Sequence, residues 1–139
     1  MLIHHAIGAD VAPPLFPQIG AWDGSWTADG IIEVVREHPV TAGLAVGDTL
    51  RDTCWDSLGI QSGDDGVVLA KITKDRGLSV ASLVVGEVGK GKVVLCGMGI
   101  GAGFKRESSG GKQTMVKVEQ APQGRLKQLL LGAVAWLKQ

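Results

Sequence analysis

The chain has 139 residues, enough for one domain with a buried core. Its 14 Lys and Arg residues balance its 14 Asp and Glu residues, which argues against nucleic acid or an anionic membrane as a partner. No apolar run approaches the ~18 residues of a membrane span, and no secretory leader pattern is present, so we expect a cytoplasmic protein.

The two cysteines also favour a reducing compartment. Cys54 and Cys96 lie in apolar runs and lack the spacing of metal ligands or of a disulfide framework. We therefore expect free, buried thiols, and the sequence predicts neither a metal site nor a cofactor.

The first third of the chain predicts two short strands separated by a loop. Leu2–Ile7 is an apolar run closed by a glycine, typical of a buried strand. The segment Ala12–Pro17 holds three prolines, which exclude a helix interior, so a long loop is expected from there through Trp22 and Trp26. The β-branched run Ile31–Val35 predicts a strand that ends at a His-Pro pair, and the proline favours an extended histidine.

The middle of the chain predicts further strands and a hairpin. Thr49–Trp55 alternates weakly in polarity, and Val67–Ile72 is a clearer strand. Ala81–Val88 and Lys92–Cys96 flank Gly89-Lys90-Gly91. Glycine accepts the positive φ of a tight turn, so these residues predict a β-hairpin.

A glycine-rich segment, a short strand and a helix are expected at the end. Gly97–Gly111 holds six glycines and predicts a flexible loop, and Met115–Glu119 predicts a short edge strand. A helix follows, because apolar residues recur with helical spacing at Leu126, Leu129, Leu130, Ala133, Val134 and Leu137. Leu131, Ala135 and Trp136 widen its apolar face, which suggests that the helix has two packing partners.

Two motifs in this order carry a family resemblance. They are His38-Pro39-Val40-Thr41-Ala42-Gly43-Leu44 and Gly89-Lys90-Gly91-Lys92-Val93-Val94. Together they resemble the "HP-[IV]-T-x-G-L" turn and "yGKGRV" hairpin of the ThuA-like (trehalose-utilisation) branch of the class I glutamine-amidotransferase-like superfamily. The resemblance covers roughly residues 31–138, and Leu2–Ala6 looks like the central strand of that branch, with its histidine.

The resemblance implies an α/β, flavodoxin-like sheet that is truncated on its N-terminal side, with a late β-hairpin and a C-terminal helix. Residues 1–139 would form a single, partial domain, because the βαβ units that precede the central strand in the family have no counterpart here. A sheet that lacks its first strands exposes an unpaired edge. We therefore expect either a fragment of a longer protein or a homo-oligomer, unless the segment Pro13–Pro17 covers the gap.

The glutaminase chemistry of the superfamily is excluded by the residues present. It needs a cysteine on a strand-to-helix elbow and a downstream His and Glu. The strand that resembles the elbow strand carries His4-His5-Ala6, and the last histidine of the chain is His38, which we expect to be structural. Cys96-Gly97 lies on a later strand with no histidine after it.

The remaining site candidates are weak. His4, His5 and Asp10 are candidate catalytic residues, because one of the histidines could face the carboxyl end of the strand. Trp22 and Trp26 could stack on a sugar ring. Gly97 and Gly99 could form a phosphate-binding loop, since Gly97-x-Gly99-x-x-Ala102 fits a dinucleotide fingerprint without an obvious helix after it.

Three functions remain open. The first is a non-amidotransferase ThuA-like domain that binds a small molecule, with carbohydrate-related molecules as candidates. The second is an enzyme of carbohydrate metabolism that uses His4 or His5 with nearby carboxylates. The third is a structural subunit whose sheet is completed by oligomerisation.

Overall fold

A curled, mainly antiparallel sheet forms most of the fold. The computed structural model describes residues 1–3, 7, 13–27, 30–51, 57–73, 77–100, 104–117 and 124–139. The strands are β1 (Leu2–Ile3), β2 (Gly20–Thr27), β3 (Ile31–Val34), β4 (Thr49–Arg51), β5 (Ser57–Ser62), β6 (Val67–Thr73), β7 (Ser79–Val88), β8 (Gly91–Cys96), β9 (Phe104–Ser109) and β10 (Lys112–Lys117). A 3-10 turn spans Pro39–Thr41, and the helix α1 spans Arg125–Leu137. Among the described residues, no helix is long and apolar enough to cross a membrane.

The main sheet has the order β1-β8-β7-β6-β3-β4, with β5 joining β7 and β2 joining β5. Of the strand pairs in the described residues, only β1–β8 is parallel. The expected mixture of sheet and C-terminal helix is confirmed. A flavodoxin-like fold is not confirmed.

A bulge in β7 explains how this strand pairs with β5 as well as with β6 and β8. Leu83 lies opposite Ala70 and Ala81 opposite Lys71, so Ser82 is the extra residue. A bulge bends its strand and increases the local twist. One edge of β7 pairs with β8 from Leu83 onward. Before the bulge, the same edge pairs with β5, where Ile60 lies opposite Ala81. The β2–β5 ribbon therefore joins the sheet at the bend.

Two apolar clusters lie on the two faces of this sheet. The first joins buried residues of α1 and the 3-10 turn to β3, β6, β7 and β8. The second joins Ile19 to buried residues of β5, β7 and β8, with Phe16 and Trp22 packed against it. The sheet is thus covered by the helix on one side and by the β2–β5 ribbon on the other.

Most of the predicted strands are confirmed, and two segments predicted as loops are strands. The hairpin forms with Gly89 and Lys90 at its tip, since Val88 pairs with Gly91, and Gly89 has φ 61°. The segment with both loop tryptophans is β2, because β5 offers it a pairing edge that local sequence does not reveal. The glycine-rich segment contains β9, which pairs with β10 across Gly110-Gly111, both at positive φ.

The predicted helix is confirmed, and most of its expected apolar face packs against the first cluster. Leu129, Ala133 and Trp136 are buried, whereas Val134 is 39% exposed. The other leucines of the predicted stripe are partly buried against the cluster, and Trp136, the largest side chain of the helix, is only 7% exposed. Of the residues expected to widen the apolar face, Leu131 is 57% exposed.

Candidate ligand cleft around His38

The histidine of the first motif caps the 3-10 turn. His38 has φ −162° and ψ 156°, the extended conformation that the following proline favours. Its Nδ1 accepts a hydrogen bond from the Val40 N–H at 3.2 Å. Its own N–H donates to Thr41 Oγ1 at 3.0 Å. These reciprocal bonds are those of a capping box, so the structural role expected for His38 fits its contacts.

The last turn of α1 packs against this cap. The rings of His38 and Trp136 meet edge-on, with centroids 5.0 Å apart and planes at 72°. Lys92 of the second motif lies with its Nζ 5.2 Å from the indole centroid and donates to the Trp136 carbonyl oxygen at 3.4 Å. The two sequence motifs therefore meet at one tryptophan.

The surroundings of His38 favour the neutral imidazole. Burial, followed by the positive charge of Lys92, lowers the pKa of His38 below its ordinary value of 6.5. Because Nδ1 accepts a hydrogen bond, the proton of the neutral ring belongs on Nε2. Nε2 has no hydrogen-bond partner within the described part of the chain, so it is available to a ligand.

His38 lines two open cavities. One, of about 450 Å³, is formed by residues 37–39 and 41–44 around the turn. The other, of about 510 Å³, is lined by Asp65, Glu87 and Trp136 as well as His38, and its apolar floor contains Val67 and Val85. We call this second cavity the His38 cleft.

The carboxylates of the His38 cleft have free hydrogen-bonding capacity. Asp65 and Glu87 are exposed, and neither side chain forms a hydrogen bond or an ion pair with the described residues. Glu87 lies opposite Lys92 in the β7–β8 ladder, but the lysine is engaged with Trp136. The cleft is thus lined by an imidazole, two carboxylates and an indole. No group of three His, Cys, Asp or Glu residues suited to a metal ion occurs among the described residues.

The catalytic candidates His4, His5 and Asp10 lie outside the described residues. Their proposed chemistry stays a prediction.

The tryptophans expected to contact a sugar lie on β2. Trp22 donates its indole N–H to the Ser25 carbonyl oxygen at 2.9 Å and packs on the second apolar cluster. Asp23 accepts from the Ser25 N–H at 2.8 Å and from its hydroxyl, where the β2–β5 register shifts. Trp26, beyond this irregularity, is 54% exposed. Ligand binding by either tryptophan stays a prediction.

The glycines expected to bind phosphate lie in the interior. The Gly97 N–H donates to the Ser82 carbonyl oxygen at 2.8 Å, and its own carbonyl accepts from the Leu58 N–H at 2.9 Å. Both backbone groups of Gly97 are therefore used within the sheet, and Gly99 is buried. The next described element is the strand β9 rather than a helix. A phosphate-binding role of these glycines stays a prediction.

Sequence reasoning did not select Asp65, Glu87 or Trp136 as site residues. Glu87 is an exposed strand residue beside a hairpin turn, and Trp136 lies within an apolar helix. Nothing local distinguishes either residue from an ordinary surface or core position. They become neighbours because α1 docks on the turn that follows β3 and beside β8.

No family model, no curated protein and no solved structure gives a significant match to this chain. The resemblance to ThuA-like domains therefore rests on the two motifs and the Leu2–Ala6 segment.

Proposed function

We propose that this chain is a small-molecule-binding module, a non-amidotransferase member of the ThuA-like branch. Its ligand is a polyhydroxylated, carbohydrate-related molecule held in the His38 cleft, and its setting is the cytoplasm. The observation that carries this proposal is the meeting of His38, Asp65, Glu87 and Trp136 around one cavity of about 510 Å³.

The chemistry of the cleft suits hydroxyl groups. A sugar hydroxyl donates one hydrogen bond and accepts others, so it can donate to a carboxylate and accept from an imidazole N–H. Small-molecule sites combine an apolar lining with a few polar groups that orient the ligand. Val67, Val85 and Trp136 supply the apolar part, and Asp65, Glu87 and His38 supply the polar part.

Thermal unfolding in the presence of simple sugars and polyols tests this proposal. A ligand at about 100 times its dissociation constant stabilises the folded state by about 2.7 kcal/mol. We expect at least one sugar to raise the midpoint, and Glu87→Gln to weaken the effect. Glu33→Gln is the matched control, because Glu33 is an exposed strand carboxylate that does not line the cleft.

Two results would reject the cleft as a sugar site. One is that no sugar or polyol changes the unfolding midpoint, although the protein unfolds cooperatively. The other is an equal shift in the wild type, in Glu87→Gln and in Asp65→Asn.

A role in assembly is the second candidate. It is favoured by the outer face of α1, where Leu131 and Val134 are 57% and 39% exposed although both are apolar. Contiguous exposed apolar patches mark surfaces that pack against a partner, and these two residues are neighbours on the helix surface. Sedimentation measurements would distinguish a homo-oligomer from a monomeric binding module.

A further inference from the structure

The helix α1 packs directly against backbone atoms of the 3-10 turn. Val40 of the turn is fully buried. A Cβ placed on Gly132 would lie 2.9 Å from the Val40 carbonyl carbon and 3.2 Å from the Pro39 carbonyl oxygen. The helix therefore rests on the peptide groups of the turn, and a change in the turn is transmitted to α1.

We propose that protonation of His38 releases the cap of this turn and loosens its contact with α1, which makes the His38 cleft responsive to pH. The device is independent of which ligand the cleft binds. It consists of the Nδ1 acceptor of His38, the Val40 N–H that it receives, and the indole of Trp136 against which the imidazole ring packs.

The proton changes the hydrogen-bonding character of the ring. Neutral imidazole accepts at Nδ1, whereas imidazolium carries N–H groups on both nitrogens and accepts at neither. The Val40 N–H would then face an N–H group and lose its partner. An unsatisfied donor near the protein interior is costly, so the turn must rearrange or open to water.

The charges around His38 help to set the pH at which it is protonated. They come from Arg36 and Glu37 beside it in sequence, Asp65 and Glu87 across the cleft, and Lys92 behind Trp136. The carboxylates favour imidazolium, whereas burial and Lys92 oppose it and lower the pKa of His38. The pKa of His38 therefore lies below 6.5, the ordinary value for histidine, and the cap is lost as the pH falls through it.

An NMR titration of the wild-type protein tests the device without any variant. At neutral pH, the ¹⁵N shifts of His38 must report a proton on Nε2 and none on Nδ1. As His38 titrates, the protection factor of the Val40 amide should fall about tenfold, the loss expected for one broken hydrogen bond. A neutral ring protonated on Nδ1, or a constant Val40 protection factor through the titration, would overturn the proposal.

His38→Asn is the matched variant, because asparagine at an N-cap accepts through its side-chain oxygen and does not titrate. We expect its Val40 amide to stay protected at acidic pH. If the variant keeps the pH dependence of the wild type, another group is responsible and His38 is not the switch.

Discussion

Gly132→Ala changes the free energy of unfolding in two opposite ways, through the helix propensity of α1 and through its contact with the turn. Alanine has the higher helix propensity, worth about 1 kcal/mol relative to glycine. The added methyl group would lie 2.9 Å from the Val40 carbonyl carbon, and closer still to the carbonyl oxygen. Contacts this short force α1 or the turn to move.

The packing penalty should be larger than the gain in propensity. Overfilling a well-packed site costs about 1–3 kcal/mol. The atoms contacted are backbone atoms of the turn, which cannot rotate away as a side chain could, so a cost in the upper part of that range is expected. The free energy of unfolding should therefore fall by about 1–2 kcal/mol in total, after the gain in propensity is subtracted.

Urea unfolding followed by far-UV circular dichroism measures this difference, because the free energy of unfolding falls linearly with denaturant. Ala135→Gly is the control, since Ala135 is exposed on the same helix and its replacement changes propensity without a clash. It should cost about 1 kcal/mol. If Gly132→Ala stabilises the protein by the amount that Ala135→Gly destabilises it, the close contact between α1 and the turn is refuted.

Four further results are expected. Gly97→Ala should destabilise the protein by about 2 kcal/mol or more in urea unfolding, because its Cβ would lie 3.0 Å from the Leu58 carbonyl carbon; an unchanged midpoint would contradict this. Because the pKa of His38 is lowered, its neutral form stabilises the folded state above pH 6.5, and this contribution is lost as the pH falls through the folded-state pKa. Unfolding curves measured across that range should therefore show a loss of stability that is absent from His38→Asn. No glutaminase activity should be detected, and glutamate release that Cys96→Ser abolishes would overturn this expectation. In sedimentation experiments the protein should self-associate, and Leu131→Lys should weaken the association; a strictly monomeric wild type would exclude it.

Local patterns in the sequence were sufficient where one face of an element is apolar or a turn residue is decisive. The hairpin of β7 and β8 was predicted because its flanks are β-branched and glycine accepts the φ of 61° at its tip. The helix α1 was predicted because its apolar residues recur with helical spacing. The extended conformation of His38 followed from the proline after it.

The prediction of a loop at β2 was wrong because strand pairing is a long-range interaction. Gly20–Thr27 contains glycines and polar residues and has no clear alternation. Its pairing with β5, more than thirty residues away, satisfies its backbone and overrides the weak local preference. The bulge at Ser82 is likewise invisible in sequence, yet it allows β5 to reach the edge of β7.

Part of the candidate site could likewise be predicted from the sequence, and part could not. The sequence by itself determined that no histidine follows either cysteine, that a His-Pro turn follows one strand, and that a Gly-Lys-Gly hairpin precedes a helix. Only the tertiary structure decided that His38 and Lys92 lie against Trp136, with Asp65 and Glu87 across the same cleft. The physical reason is the docking of α1. Trp136 is buried together with Leu129 and Ala133 against the turn and the sheet, and helical periodicity alone does not show which turn and strands that face contacts.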